Sequence, residues 1–209
     1  MGTNNLAPTG FSFARNFISS AATYAMTQMS ILNGYPSNIM VGDPVILNAN
    51  GTVNIAGSAT FGTVNTGPLG IFAGVLPYYD TTQQATSHGL NGAYLSTAAP
   101  PSGVNIPCMV ITDPFATFIA QLNGVAFLQS WVGMNCTWLQ STVGQNTAGN
   151  GRSVAALDNT TNPIGTSITY PLRIIGPAGV SGGPQDPANA NPWIEVRLNL
   201  STALATLGV

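Results

Sequence analysis

The chain contains no lysine. Its cations are Arg15, Arg152, Arg173 and Arg197, and its anions are Asp43, Asp80, Asp113, Asp158, Asp186 and Glu195. Charged residues make up 5% of the 209 positions, where about 25% is usual. A freely diffusing monomer ordinarily uses charge to stay dispersed and lysine to blunt exposed strand edges. Here Asn, Thr, Ser, Gln and Gly cover the surface instead, and neutral polar groups are cheaper to strip of water than ions. The composition points to a protein covered by neighbours in an assembly, and away from a diffusing enzyme.

Other absences narrow the classes further. With a net charge of −2 and no basic run, the chain is poorly suited to a phosphate-driven nucleic-acid interface. No run of about 18 apolar residues is present to span a bilayer, and no charged amphipathic helix is present to lie on one. Neither nucleic acid nor membrane is expected as a partner. Met1 to Phe17 lacks the pattern of a signal peptide, so synthesis in a cytoplasm without export by the general route is expected. Cys108 and Cys136 are the only cysteines. They read as buried reduced thiols, with a disulfide possible but not needed, and without paired histidines they cannot build a zinc site.

Acid–base chemistry is also poorly supplied. His88 is the single histidine and falls in a loop-like Thr-Ser-His-Gly stretch, with no nucleophile elbow to complete a triad. Asp43 and Asp113 each precede a proline and read as turn caps, whose short carboxylates bond nearby backbone amides. Asp80 and Asp158 read likewise. No Asp-x-Asp spacing offers a calcium site, and no glycine-rich stretch carries a phosphate-loop lysine. No catalytic residue, cofactor or metal is therefore assigned, and the chain is expected not to be an enzyme.

What remains is β-forming. After the turn Asn33–Ser37, short apolar runs alternate with turn residues down to the C-terminus, as in a β-sandwich or β-barrel of antiparallel strands with long loops. The 24 glycines and 15 prolines argue against helix in quantity. Val45–Leu47 and Thr52–Ile55 flank Asn50-Gly51, a hairpin signal. Further strands are predicted at Leu69–Leu76, Ala93–Ser96, Val104–Ile111, Thr117–Leu122, Ala126–Trp131, Leu172–Ile175 and Trp193–Leu200, with Trp138 in a less defined segment. Gly70 and Gly74 mark bulges or close packing. Upstream, Asn16–Met29 has helical spacing through Phe17, Ala21, Tyr24 and Gln28. It is read as part of an extended, partly helical arm over 1–37, preceding a β-rich domain over 38–200 and a tail over 201–209.

The arm's aromatics Phe11, Phe13 and Phe17, with Arg15, are candidate contacts, because buried aromatics dominate interfaces. On the last strand, Glu195 and Arg197 share a face with Trp193, while Ile194, Val196 and Leu198 take the core side. Arg173 lies in another closing strand. Arg152, Arg173 and Arg197 are candidates for pairing within the fold or across an interface, where arginine's planar fork suits carboxylates.

Several segments carry a family pattern. Gly42-Asp-Pro-Val45 runs into the hairpin ending at Val53, and Gly70-Ile-Phe-Ala-Gly-Val75 follows. Val132-Gly-Met-Asn135, Gly151-Arg-Ser153 with Leu157-Asp158, Pro171-Leu-Arg-Ile-Ile-Gly176 and Trp193–Asn199 complete the series. In order and spacing, over about 38–200, the chain resembles capsid decoration (cement) proteins of tailed bacteriophages. The resemblance implies a non-enzymatic virion protein on the outer surface of an icosahedral head, in contact with the major capsid protein and assembled as a dimer or trimer. Two features depart from the pattern: relatives usually carry more charge, and the arm lies outside the matched part. The alternative is a carbohydrate- or receptor-binding β-module of a head fibre or adhesin, with Tyr78, Tyr79 and Trp138 as its possible contact aromatics.

Overall fold

The computed structural model describes residues 10–16, 26–48, 50–56, 70–89, 91–139, 151–167, 170–179 and 186–199. Thirteen strands follow one another among them: β1 (Ser12–Asn16), β2 (Met26–Ile31), β3 (Pro44–Leu47), β4 (Val53–Ile55), β5 (Gly70–Val75), β6 (Tyr78–Asp80), β7 (Ala85–Ser87), β8 (Ile106–Ile111), β9 (Ala116–Gln121), β10 (Asn135–Leu139), β11 (Ala156–Asp158), β12 (Leu172–Pro177) and β13 (Trp193–Leu198). The only helical element among the described residues is a single 3-10 turn, Gln129–Trp131. The protein is mostly β, and every strand pair is antiparallel.

The strands form two main sheets and one separate hairpin. One sheet runs β1-β9-β13-β12-β10-β11, the other runs β2-β8-β5-β3-β4, and β6 pairs with β7. Both main sheets curl. Leu122, just past β9, bridges to Leu157 of β11, and the Asn123 amide donates to the Leu157 carbonyl at 3.0 Å. In the second sheet β2 lies against β4, and the Ile55 amide donates to the Tyr35 hydroxyl at 3.2 Å.

Period-two alternation sorts the side chains into two cores. Phe118, Leu122, Trp138, Leu157, Leu172, Ile194 and Val196 fill one, and Ile31, Val45, Val53, Phe72, Tyr94, Ile106 and Val110 fill the other. Strands β5 and β8 serve both: Ile71 and Ile111 join the first cluster, while Phe72 and Val110 join the second. The two glycines of β5 act as expected. A Cβ at Gly70 would run into the Ile111 carbonyl, and Gly74, at φ +138°, forms a bulge opposite Met109.

The hairpin at Asn50-Gly51 is present, with Gly51 at φ +79°. Three expectations need correction. Ala126–Trp131 is not a strand; Phe127 and Trp131 pack edge to face at 6.0 Å on the rim of the core while Leu128 points outward. Ala93–Ser96 contributes only an isolated bridge, Tyr94 to Ile39.

The third correction concerns the arm. Most of its helical stretch, 17–25, lies outside the described residues, as does the tail 201–209. Both described ends are strand. Residues Met26–Ile31 pair with Ile111–Ile106 of β8 along their whole length, and Ser12–Asn16 pair with β9. The described part of 1–37 therefore belongs to the two sheets. Over Met26–Met29, where the predicted helix is described, strand pairing is found instead, because an edge strand of Met, Thr, Gln and Ser has no strong alternation of its own and its backbone pairing outweighs local propensity.

Candidate functional site

The aromatics expected to reach a partner face inward instead. Phe11 is 3% exposed and meets Trp138 edge to face at 6.4 Å. Phe13 is half-buried against Phe118, with ring centroids 6.5 Å apart. Both are core residues, and Phe17 lies outside the described residues. Trp138 is fully buried, so it is not a contact aromatic either.

Arg15 takes the opposite course from its neighbours because β1 is bulged. Phe13 lies opposite Phe118 and Arg15 lies opposite Thr117, so Ala14 is the extra residue. Without that bulge Phe13 and Arg15 would share a face; with it, the aromatic ring stays on the core and the guanidinium turns outward. Arg15 Nε donates to Glu195 Oε1 at 2.7 Å and its Nη2 donates to Oε2 at 2.9 Å. The Thr117 hydroxyl adds a third bond to Oε1 at 2.7 Å. Partial burial alone would raise the Glu195 pKa, but Arg15 and Thr117 outweigh it and hold the carboxyl below its ordinary value. The Glu195 carboxylate in turn raises the pKa of Arg15.

The register across the sheet reveals the larger arrangement. Arg15 lies opposite Thr117, Thr117 opposite Arg197, Arg197 opposite Arg173, and Arg173 opposite Asn135. Three of the chain's four arginines thus stand in one row across five strands. The row is on the face away from that core, since Phe118, Val196, Ile174 and Cys136, the alternate residues of the same strands, are in it. Arg15 and Arg173 are exposed there, Arg197 and Asn135 are half-buried, and Thr117 is buried beneath Arg15 and Glu195. Trp193 shares this face and is 38% exposed. A second bulge follows the Arg173–Arg197 pair, with Ile175 the extra residue, and brings Gly176 opposite Glu195. Arg152 is exposed but stands elsewhere, bridged to Val41.

That bridge belongs to a junction between the Val41-Gly42 and Gly151–Ser153 segments. Val41 donates to the Gly151 carbonyl at 3.0 Å and accepts from the Ser153 amide at 2.9 Å, while Gly42 accepts from the Phe11 amide at 3.0 Å. These residues brace the backbone.

The aspartates are turn caps throughout. Asp43 accepts from the Met40 amide at 2.8 Å, reaching back three residues, and Asp113 accepts from Phe115 at 2.8 Å. Asp80 accepts from Thr82 and Gln83, and Asp186 from Ala188. Asp158 accepts from Thr160, Thr161 and Asn162. The Gln83 amide is the main cause that lowers the Asp80 pKa. Cys108 and Cys136 are both free and buried. Burial pushes the Cys108 thiol up to about 12 and the Cys136 thiol higher still, so neither is a ready nucleophile.

A smaller feature lies at the β6–β7 hairpin. Tyr78, Asp80, Gln83, Ser87, Leu95 and Thr97 line a cleft of about 250 Å³, and Tyr79 beside it is 51% exposed. Among the described residues no three His, Cys, Asp or Glu side chains cluster to hold a metal. No helix of the described residues is long and apolar enough to cross a membrane.

No family model, curated protein or solved structure matches this chain. The arginine row is therefore the feature with the most to say about function. Sequence reading named its three arginines separately but missed Thr117 and Asn135 and the alignment itself. Alternation gives the face of Arg173 and Arg197, the bulge reverses it for Arg15, and the register that lines the strands up is not written locally.

Proposed function

We propose that this chain is a non-enzymatic structural protein of a virion, a decoration protein that binds the outside of a tailed-phage head and stabilises it. The single observation that carries the binding character is the placement of charge. Five aspartates cap turns, and the sole glutamate is locked to Arg15 and Thr117. That distribution leaves a surface suited to contact and no carboxylate pair poised across a cleft for acid–base work. The identity of the partner, the major capsid protein, rests on the family pattern quoted above. The architecture fits that role as two small curled sheets, read as partly open barrels or a sandwich, assembled as a dimer or trimer so that weak contacts add through effective concentration.

The test is co-sedimentation with heads of the phage that encodes the protein. The purified chain is expected to pellet with the heads and to raise their resistance to heat. Protein left wholly in the supernatant would sink the proposal.

The hairpin cleft favours one second reading, a carbohydrate-binding module. Its walls set the ring of Tyr78 beside the polar groups of Asp80, Gln83 and Ser87. On a glycan array this reading expects a sugar signal that Tyr78→Ala removes, and a blank array rejects it.

A further inference from the structure

We infer that the outer face of the six-stranded sheet, along the row Arg15–Arg197–Arg173, docks onto a carboxylate-rich protein surface. The inference deepens the decoration reading, on which that acidic surface belongs to the capsid.

Like charge works against the row within the fold. Arg173 and Arg197 are directly opposite one another in the ladder, and like charges so placed destabilise a sheet. The face carries three guanidiniums against one carboxylate, in a chain with only four arginines to place. The bulge that turns Arg15 outward adds the third of them to the line.

The chemistry of the occupant follows from what meets guanidinium best. Arg15 and Glu195 already show the two-pronged geometry in which arginine takes a carboxylate. A second copy of this chain has little to offer, since its aspartates are tied to backbone amides in turns. Nucleic acid is a poorer fit. Glu195 sits among the arginines, and three cations in a chain of net charge −2 give few phosphate contacts. Trp193 on the same face supplies the other residue type that, with arginine, dominates protein interfaces.

The experiment uses the full chain, immobilised poly-L-glutamate and heads of the encoding phage as probes. Arg173→Gln removes an exposed charge from the row, and Arg152→Gln removes the same charge off it. Arg173→Gln is expected to weaken both interactions by about tenfold, with a melting temperature unchanged or raised. Arg152→Gln is expected to bind as the parent does. Arg173→Lys, which keeps the charge but not the fork, is expected to fall between. Equal binding by Arg173→Gln and the parent would overturn the inference, as would an equal loss in Arg152→Gln. So would tighter binding to duplex DNA than to poly-L-glutamate, self-association abolished by Arg173→Gln, or a melting temperature lowered by several degrees.

The two levels separate cleanly. Head binding that survives Arg173→Gln defeats the docking face and leaves the decoration reading standing. Arg173-dependent binding to poly-L-glutamate, with no binding to heads, defeats the decoration reading and leaves the face.

Discussion

Removing residues 1–32 is expected to leave a chain that does not fold. The deletion takes β1 from the edge of one sheet and β2 from the edge of the other. It exposes the ladders of β9 and β8, which lie against those strands. It also takes Phe11 from the first core and Ile31 from the second, where Ile31 is fully buried. Truncating a buried Phe to Ala costs about 3–5 kcal/mol and a buried Ile about 2–5. Their sum already matches much of the roughly 5–15 kcal/mol by which a domain is stable, before the lost ladder bonds are counted. The measurement is a thermal melt followed by circular dichroism. A cooperative transition near that of the full chain would show that the two edge strands are dispensable. Phe11→Ala alone gives the graded form, with a loss of about 3–5 kcal/mol.

The sheet membership of these two edge strands was not legible in the sequence, and the reason is specific. The strands of the interior announce themselves: Ile106–Ile111 is a short, almost wholly apolar run, Trp193–Leu198 alternates apolar with polar or exposed residues, and the side assigned to each residue of β13 is the side observed. Turn chemistry was equally legible, from the Asn50-Gly51 hairpin to the aspartate caps, because a cap needs only its own few neighbours. Edge strands are different. Thr27, Gln28 and Met26 are exposed, and only Met29 and Ile31 turn toward the core. Their pattern is carried by pairing with a strand far along the chain, which no local window contains. Strand β11 is short, three residues of Ala-Leu-Asp, and escaped notice for the same reason.

The candidate site follows the same division. The faces of Arg173 and Arg197 can be read from their own strands, but that of Arg15 depends on the bulge at Ala14, and the alignment of all three depends on four strand pairings. A slip of one residue in any of these would move an arginine to the core side. The row is thus a property of the tertiary fold, and the bulge at Ala14 is part of how it is built.

Asp158→Ala is expected to cost about 3 kcal/mol, among the largest losses for any polar residue of this chain. The residue is fully buried. Its Oδ1 accepts from the Thr160 amide, the Thr160 hydroxyl and the Thr161 amide, and its Oδ2 accepts from the Asn162 amide and side chain. Alanine leaves those donors in the Asp158–Asn162 turn without their acceptor. Asparagine keeps one oxygen but turns an NH2 group toward the donors that met the other, so Asp158→Asn is expected to lose about 2 kcal/mol.

The same group predicts acid sensitivity. Burial acts to raise the Asp158 pKa, but the Thr161 amide, the Asn162 side chain and both Thr160 donors outweigh it, and the net direction is downward from 3.8. A carboxyl whose folded pKa is depressed binds protons more weakly in the folded state than in the unfolded chain. Its contribution is complete above the unfolded pKa and is lost as pH falls through the folded one. Asp80 and Glu195 shift the same way, from 3.8 and 4.5. Melting temperature should therefore begin to fall as pH drops below about 5 and continue downward through 4 and 3. Asp158→Ala should show a shallower fall over that range, because it has already lost one of the three groups. Parallel pH profiles for the variant and the parent would place the source of acid sensitivity elsewhere.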